Sequence, residues 1–363
     1  VGEVIVSADG KLSHSGSLSA ASNVGVTASS VENGGTLYAR GTLEINTPGD
    51  ITNTGGSGAV IAAGADATLS ARRIEGDRQA LFAAGLSEAG SLAGTGKLTL
   101  TAGEQITTRG QQAAGGDLAI SARELDLSST RNSARSIVFA AQGGDLDLSG
   151  ATTLTAGTMT AHAAQKLAHA GAQSHAGQLD LAAHTLDNRR GELVQIGSGD
   201  TRLALAGDLD NRAGRIAVNS HKLELAARTL DNAAGRIEHA GAGTLTLTAE
   251  ALPATGGGST SQGARPLAAE PGTRDAAETV AARLDIAAQS LSQRGGRLLW
   301  TGQEGSTIAV AGGLDNRVGT LSGNGRLDLV ADSFDNRNGG RIENAGDLAL
   351  TAASLANATG RIE

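Results

Sequence analysis

Apolar residues alternate with polar residues in short triplets that recur through the second half of the chain. The triplets have the form apolar-x-apolar and begin at Leu179, Leu203, Leu223, Leu245, Leu284, Ile308, Leu327 and Leu348. Most of the intervals between these positions lie near 21, and the one from Leu245 to Leu284 is nearly doubled. Alternation with a period of two predicts β-strands with one inward and one outward face, because a helix would place apolar residues three or four positions apart.

A turn follows each triplet at a nearly constant distance. Another apolar residue stands six or seven positions after the start of each triplet, and a glycine stands five positions further on in all eight units. Gly, Asn and Asp around these positions supply the positive φ angles and the side-chain hydrogen bonds that tight turns require. A unit of about 21 residues with two or three short strands predicts an all-β fold, a right-handed parallel β-helix or β-solenoid.

One position of the repeat carries amide side chains. It is occupied by Asn188, Asn211, Asn232, Gln293, Asn316, Asn336 and Asn357. If successive coils lie at the roughly 4.8 Å spacing of paired strands, these amides stack directly above one another. We therefore expect a structural ladder in which each amide hydrogen-bonds its neighbours above and below.

The first half of the chain is less regular. Similar triplets begin at Leu43, Leu98, Leu118 and Leu146, and the interval from Leu118 to Leu146 is longer than the interval from Leu98 to Leu118. We expect residues 1–177 to form a less regular β-helix with insertions, and residues 178–363 to form the regular repeats. At roughly 4.8 Å per coil, about 17 coils predict a rod of roughly 80 Å.

The doubled interval marks an insertion at residues 256–279. This segment contains two of the chain's four prolines and lacks alternation, which predicts a loop that leaves the rod. Binding residues concentrate on loops that a regular scaffold presents. Arg265 and Arg274 in the loop, and the lone Trp300 beyond it, are therefore candidate partner contacts, with an insertion of no function and a core position for Trp300 as the alternatives.

Composition and charge narrow the classes of partner. The chain has 53 Gly but only three Phe, one Tyr and one Trp, so its core must consist of Leu, Ile, Val and Ala. The formal net charge is −8 and no polybasic block occurs, which makes nucleic acid and anionic lipid poor partners. The absence of Cys excludes disulfides and thiolate sites. No apolar run reaches the roughly 20 residues of a membrane helix.

Acidic residues recur in the same repeat and raise the possibility of catalysis. They are Asp187, Asp210, Asp231, Asp315 and Asp335. Cleavage of a polysaccharide needs two carboxylates at a defined separation, usually beside aromatic rings, and a row repeated in every coil has no unique pair. We predict that the chain is not an enzyme and has no small-molecule substrate and no cofactor.

Arginines form a second recurring set, at Arg189, Arg212, Arg294, Arg317 and Arg337. Each follows the amide position, and most have an aspartate beside that position, so we expect a solvated, ion-paired stripe. An anionic glycan ligand on this stripe is the alternative.

Histidines cluster in one stretch of the chain. The spacings of His162, His169, His175 and His184 match no known ligand pattern. We predict no metal site.

The repeat resembles that of a known family. The pattern Leu-x-Leu-x-Ala-x-x-Leu-Asp-Asn-x-x-Gly-x-Ile, plainest at residues 203–216 and 223–237, looks like the repeats of filamentous haemagglutinins and contact-dependent growth inhibition exoproteins. The resemblance covers residues 178–363 well and residues 1–177 loosely. It implies a β-helical filament that an outer-membrane partner transporter secretes to the bacterial surface, where it acts in adhesion or in toxin delivery through a receptor on a host or neighbouring cell.

We therefore expect an internal shaft segment of a longer surface exoprotein. A receptor-binding segment of the same filament is the first alternative, and a polysaccharide-acting β-helical enzyme is the second. Val31-Glu32-Asn33-Gly34 is similar to the tetrapeptide that precedes toxin domains in the resembled family, but its position and its last residue differ. We expect no toxin boundary there.

Overall fold

The computed structural model describes residues 2–56, 58–92, 94–253, 258–260 and 278–363. Within these residues all regular structure is β-strand, and the strands of successive coils pair in parallel. The chain divides into a first unit, Val1–Ala176, and a second unit, Gly177–Glu363. Each unit is a parallel β-solenoid of eight coils, so the predicted fold class is confirmed. The described residues contain no helix long and apolar enough to cross a membrane.

Each coil has three strand positions, which we name face 1, face 2 and face 3 in chain order. In the coil that begins at Leu223, the inward residues are Leu223 and Leu225 on face 1, Leu230 on face 2 and Ile237 on face 3, and none is more than 2% exposed. Alternate residues point outward, as the period of two requires. Each buried Leu or Ile contributes about 1.5–3 kcal/mol relative to an exposed one, so the stacked columns of these residues form the core.

The strands of the first unit occupy the three faces in turn. On face 1 they are Val4–Ser7, Val24–Thr27, Leu43–Asn46, Asp117–Ala122, Ser136–Ala141 and Thr158–Ala163. On face 2 they are Lys11–His14, Ser30–Asn33, Asp50–Asn53, Glu124–Asp126, Leu146–Asp147 and Lys166–Ala168, while Ala67–Gly76 and Leu98–Thr108 run through faces 1 and 2. On face 3 they are Ser17–Ala20, Thr36–Ala39, Val60–Ala63, Leu81–Ala84, Gln111–Ala114, Arg131–Ala134, Thr152–Thr155 and Gln173–Ala176.

The second unit repeats this order with longer strands. Gln178–Ala183 and Thr201–Leu205 lie on face 1, and Thr185–Asp187 and Leu209–Asp210 lie on face 2. Six strands run through faces 1 and 2: Leu223–Asp231, Thr244–Pro253, Arg283–Ser292, Ser306–Asp315, Leu327–Asp335 and Leu348–Ala356. Face 3 consists of Glu192–Gln195, Arg215–Val218, Arg236–His239, Gly258–Thr260, Glu278–Ala281, Arg297–Trp300, Thr320–Gly323, Arg341–Asn344 and Arg361–Ile362.

The pairing register corrects two of the predicted triplets. The residues that align on face 1 are Leu181, Leu203, Leu225, Leu247, Ile286, Ile308, Leu329 and Leu350. Apart from the interval that contains the insertion, from Leu247 to Ile286, these residues are evenly spaced to within one position. Leu203 and Ile308 are therefore the second inward residue of their coils. Thr201 and Ser306 hold the first inward position, where both are buried, and these two polar residues made the predicted intervals uneven.

The predicted insertion also has narrower bounds in the structure. Gly258–Thr260 and Glu278–Ala281, at the two ends of the predicted loop 256–279, are strands of face 3. Gly258 pairs with Arg236 of the preceding coil, and Val280 pairs with Glu238. The insertion therefore enters in the middle of face 3. Residues 261–277 lie outside the described part of the chain.

One predicted triplet of the first unit is wrong. Leu146 lies on face 2, where it pairs with Leu125, and the strand that pairs with Leu118 on face 1 contains Ile137. The predicted interval from Leu118 to Leu146 is therefore longer than one coil. It contains one coil, from Leu118 to Ile137 on face 1, and the further step from face 1 to face 2. The sequence Gly-Gly-Asp-Leu occurs at residues 115–118 and again at residues 143–146, but it leads into face 1 at Leu118 and into face 2 at Leu146.

Candidate functional site

The predicted amides lie at the corner between face 2 and face 3 of the second unit, with their side chains inward. Asn188 Nδ2 donates to Asn211 Oδ1 at 2.7 Å, and Asn211 Nδ2 donates to Asn232 Oδ1 at 2.6 Å. In later coils Asn316 donates to Asn336, and Asn336 to Asn357, each at 2.7 Å. All are buried except Asn357, which belongs to the last coil of the chain. We name this place in the coil, two residues after the inward residue of face 2, the ladder position.

A second set of hydrogen bonds joins the ladder to the backbone. The same Nδ2 atoms also donate to the carbonyl oxygen that begins face 3 of the following coil, at 3.3 Å from Asn188 to Arg215 and at 3.2 Å from Asn316 to Arg341. Each of these amides therefore connects its own coil to the following one through both a side-chain and a backbone acceptor. Because a buried amide without partners costs about 1–3 kcal/mol, this pairing is what permits Asn in the interior.

Gln293 is at the ladder position but outside the ladder. Its side chain is 1% exposed, and both amide atoms have no hydrogen-bond partner among the described residues. Asn316 Oδ1 in the next coil also has none there. Gln has one more methylene than Asn, so the same backbone carries its amide to a different place. The ladder is thus two runs of three, Asn188 to Asn232 and Asn316 to Asn357.

The turn after each ladder residue uses glycine for a different reason than predicted. The left-handed residue is the one before the glycine, for example Ala213 at φ 54° and Val318 at φ 62°. Gly214 is required by close approach, since a Cβ there would lie 2.1 Å from the backbone oxygen of Asn188 and 2.7 Å from Asn211 Oδ1. In the coil of Asn336 the turn has one extra residue, so the equivalent glycine is Gly340 and not the predicted Gly339.

The first unit contains a short ladder that the sequence analysis missed. Asn33 Nδ2 donates to Asn53 Oδ1 at 2.8 Å and to the carbonyl oxygen of Val60 at 3.0 Å. Both asparagines are fully buried at the ladder position. Each stands two positions after an inward residue of face 2, Val31 or Ile51, and this offset was a readable signal. Asn33 belongs to the tetrapeptide that is similar to a toxin boundary, and here it is part of a coil corner.

Other side chains take the ladder position in the remaining coils of the first unit. These are His14, Gly76, Thr108, Leu127, Leu148 and His169, as the pairing of face 2 places them. His169 is fully buried and its Nε2 lies 2.8 Å from Ser174 Oγ. His162 and His175 lie on faces 1 and 3, so the histidine cluster of the sequence is dispersed. Among the described residues no three His, Asp or Glu side chains come together as a metal site.

The arginine stripe is ion-paired, as predicted. Arg189, Arg212, Arg317 and Arg337 each donate twice to the aspartate two residues earlier, at 2.6–2.9 Å. Three of them also lie 3.6 Å from the aspartate of the following coil. Arg294 differs, because Ser292 stands where the other coils have aspartate. An anionic ligand would have to displace these carboxylates from the four paired arginines.

The pKa values of the aspartates reflect this pairing. The hydrogen bonds from Arg337 lower the pKa of Asp335 to about 2. At Asp210 burial raises the pKa, but the hydrogen bonds from the Arg212 side chain and backbone outweigh it and lower the pKa below its ordinary value. Both carboxylates are therefore ionised acceptors at neutral pH, which is the opposite of what a general acid requires.

Of the three candidate partner contacts, Trp300 alone lies within the described residues. Arg265 and Arg274 lie outside the described residues. Trp300 is fully buried at the end of its face 3 strand and pairs with Gly323, where a Cβ would lie 2.0 Å from the indole ring. Trp300 as an exposed partner contact is therefore wrong, because the glycine of the next coil makes room for the ring inside the core.

Comparison with known proteins gives one consistent relationship. The model of the haemagglutinin repeat family matches residues 2–55, 56–150, 120–213, 196–264 and 240–363. A protein named Toxin CdiA, from Yersinia pestis, is 29% identical over 334 residues, which cover 88% of this chain. The chain spans only 9% of the length of that relative. No solved structure matches the chain.

Proposed function

Because the chain belongs to the haemagglutinin repeat family, we propose that it is a shaft segment of a large secreted bacterial exoprotein that acts in adhesion or in toxin delivery to neighbouring cells. The observation that carries the proposal is the coil-to-coil register, in which consecutive coils of the second unit place the same residue types at the same positions. Equivalent coils lengthen the solenoid by repetition, so their function is to separate the segments that they connect. The printed name of the relative, a toxin, supports the delivery role.

The proposal includes the route to the surface. Family membership supports export by an outer-membrane partner transporter, display on the bacterial surface and a receptor on a host or neighbouring cell as the final partner. Within this proposal the asparagine runs are structural, since the donating amides hydrogen-bond an amide oxygen and a backbone oxygen of the following coil. The segment has no catalytic role in it, because arginine and backbone N–H groups occupy the repeated aspartates.

A receptor-binding segment is the second candidate, and the insertion in face 3 favours it. Two in-register strands, Gly258–Thr260 and Glu278–Ala281, bring the ends of the insertion to one place on the scaffold. In this candidate the contacts are those predicted for Arg265 and Arg274. It requires residues 261–277 for attachment, whereas the shaft proposal does not.

Deletion of one coil in register tests the shaft proposal in the full-length exoprotein. Thr201 pairs with Leu223, so removal of residues 201–222 takes out one coil and brings Asn188 opposite Asn232. We expect surface display, cell attachment and toxin delivery to stay within about twofold of the wild type, because equivalent coils are interchangeable.

The matched control removes residues 201–211, about half a coil. This deletion shifts every later residue to the wrong face, so we expect loss of surface display. Loss of attachment by the in-register deletion, with display intact, would contradict the shaft proposal. Loss of attachment after removal of residues 261–277 alone would favour the receptor-binding candidate.

A further inference from the structure

The chain contains three Asn–Gly pairs, and the structure exposes the asparagine in two of them. The pairs begin at Asn33, Asn324 and Asn338. Asn33 is fully buried in the short ladder of the first unit, whereas Asn324 and Asn338 are exposed in the second unit. Asparagine before glycine is the pair at which a peptide chain deamidates most readily, because glycine has no side chain to hinder its backbone nitrogen. The surroundings of each pair therefore decide where this chemistry occurs.

The buried pair is held at both of its reacting groups. Asn33 Nδ2 donates to Asn53 Oδ1 and to the carbonyl oxygen of Val60. The N–H of Gly34, which would have to attack the side chain, donates to the carbonyl oxygen of His14 at 2.7 Å. Each of these groups would lose a buried partner on the way to reaction, at a cost of about 1–3 kcal/mol. We expect this pair to be inert in the folded chain.

Asn324 lies at the corner between face 3 and face 1 of the next coil. Its Nδ2 donates to the carbonyl oxygen of Thr301 at 3.1 Å. The N–H of Gly325 has no backbone acceptor within the described residues. Glycine is required at this position, because a Cβ there would lie 2.3 Å from the backbone oxygen of Glu304. The packing of the corner thus places the least hindered nitrogen beside an exposed asparagine.

An earlier coil of the same unit offers a natural control at the same corner. Asn219 is also exposed, and its Nδ2 donates to the carbonyl oxygen of Ile196, again at 3.1 Å. The next residue is Ser220, which is fully buried and whose hydroxyl donates to the carbonyl oxygen of Lys222. The two corners therefore differ mainly in the residue whose nitrogen would attack.

The second exposed pair lies in the turn that has one extra residue. Asn338 has a left-handed φ of 57°, and its side chain makes no hydrogen bond to any residue in the described ranges. Glycine fills the next two positions, 339 and 340. Both exposed pairs thus belong to the coil that begins at Leu327, one just before its start and one at its corner between face 2 and face 3.

We propose that the chain deamidates spontaneously at Asn324 and Asn338, with water as the co-reactant. The backbone nitrogen of the following glycine loses its proton to solvent and attacks Cγ. An N–Cγ bond forms, the Cγ–Nδ2 bond breaks, and Nδ2 takes up a proton and leaves as ammonia. Water then opens the five-membered ring at either carbonyl, which gives aspartate or isoaspartate. Each event adds one negative charge, and isoaspartate also adds one carbon to the main chain. This chemistry does not depend on the shaft proposal.

Peptide mapping tests the sites in the intact chain after storage at neutral pH. Trypsin yields the peptides 318–326, 338–341, 216–222 and 12–40, which contain Asn324, Asn338, Asn219 and Asn33 respectively. We expect both exposed Asn–Gly pairs to deamidate at least about tenfold faster than Asn219 and Asn33, which corresponds to about 1.4 kcal/mol in the activation free energy. A rate at Asn219 equal to that at Asn324 would overturn the role of glycine. An equal rate at Asn33 would overturn the protection by burial.

Ser220→Gly converts the control corner into a reactive one. Gly197 and Gly241 hold the equivalent position in the neighbouring coils, so glycine fits there. We expect deamidation at Asn219 to rise at least about tenfold, again about 1.4 kcal/mol. An unchanged rate at Asn219 would contradict the proposal, because exposure and the side-chain hydrogen bond would then not suffice beside glycine.

Isoaspartate at Asn324 should also loosen the stacking of coils. In the following coil a Cβ on Gly346 would lie 2.6 Å from the carbonyl oxygen of Gly325, so the main chain has no room for another carbon. Asn324→Asp supplies the charge without that carbon. Both proteins carry Asn338→Gly, which removes the second site and suits its positive φ. We expect hydrogen exchange in residues 341–347 to be at least about tenfold faster in the stored chain than in Asn324→Asp. Equal exchange would overturn the loosening.

Discussion

Two groups of coils close the same corner with different side chains. In the second unit the ladder position is mostly Asn, and the fourth residue of the turn is Gly, as in Asn211 and Gly214. In the late coils of the first unit the ladder position is Leu148 or His169, and the fourth residue is Ala151 or Ala172. The backbone turn is nevertheless the same: the fourth N–H donates to the ladder carbonyl at 2.9 Å in both Gly214 and Ala151. The third residue is left-handed in both groups, as in Ala213 and Gly150.

The difference teaches that asparagine is not needed to make the turn. Leu148 contributes apolar burial, worth about 1.5–3 kcal/mol for a residue of this size, whatever lies above and below it. The side-chain hydrogen bonds of Asn211, from Asn188 and to Asn232, form only if both neighbouring coils also present an amide. The ladder therefore specifies which coil stacks on which and in what register, as buried polar groups do in some other folds. Leucine stabilises the stack of coils without selecting which coil stacks on which.

The largest expected effect comes from the glycine that accompanies the ladder. Gly214→Ala places a Cβ 2.1 Å from the backbone oxygen of Asn188, and backbone cannot move aside cheaply. We expect local stability to fall by about 3 kcal/mol, the upper range of overpacking costs. Hydrogen-exchange mass spectrometry on peptides from residues 201–222 measures this loss coil by coil.

The matched substitution in the first unit is the reverse one, from alanine to glycine. Ala151→Gly lies at the same turn position without a ladder asparagine, and we expect a loss of only about 0.5–1 kcal/mol from added backbone freedom. Similar losses for the two variants would show that the turn, and not the close approach at the ladder, decides which residue is tolerated.

Breaking the ladder at its centre has the next largest expected effect. Asn211→Leu removes two buried side-chain hydrogen bonds, the one from Asn188 Nδ2 and the one to Asn232 Oδ1, so we expect a loss of about 2–3 kcal/mol although the new side chain is apolar. Chemical denaturation followed by circular dichroism, analysed with hydrogen exchange in the flanking coils, measures it.

Gln293 provides the control at the same position. Gln293→Leu removes amide atoms that have no partner among the described residues, so stability should stay the same or rise. Gln293→Asn should gain about 1 kcal/mol by donating to Asn316 Oδ1, which also has no described partner. A loss with Gln293→Leu as large as that with Asn211→Leu would contradict the account of the ladder.

Replacing a left-handed turn residue by glycine should have a smaller effect on stability, and one of opposite sign. Val318 has φ 62° and is 59% exposed, and a β-branched residue in this region is strained. Val318→Gly should therefore raise the thermal midpoint, with a gain of about 1 kcal/mol. Val330 is also exposed, at 48%, but lies in a strand, so Val330→Gly should lower the midpoint. Two changes of the same sign would rule out strain at Val318.

Much of this architecture could be predicted from the sequence because the alternation of period two follows directly from strand geometry. The exceptions are the inward polar residues. Thr201 stands where most coils have Leu, and its hydroxyl donates to Oε1 of Gln195, on face 3 of the preceding coil, at 2.8 Å. Such a partner is fixed by the three-dimensional path of the chain, so neither residue signals the pair in the sequence.

The corners were less predictable than the faces. The left-handed position falls on residues such as Ala213, Val318 and Thr359, which have no preference for that region and follow the turn that their neighbours impose. The ladder of Asn33 and Asn53 was readable by spacing, but the cluster of Arg78, Arg109 and Arg131 at one corner of the first unit was not. Its members come from three coils of unequal length, and only the register aligns them.

The smallest expected effect on stability comes from the ion pair of Asp335 and Arg337, which lies outside the ladder. The corner of Leu148 has no such pair, because Ser149 stands where the second unit has arginine. The pKa of Asp335 is about 2 in the folded protein, below its ordinary value of 3.8, so the pair stabilises the folded state above about pH 4 and this contribution is lost as the pH falls through 2. The carboxylate is partly exposed, so we expect well under about 1 kcal/mol. Thermal unfolding between pH 5 and pH 2 should show a smaller decline for Asp335→Asn than for the wild type, since the variant has no proton to take up there. Parallel declines of the two proteins would mean that the pair orders the surface without stabilising the corner.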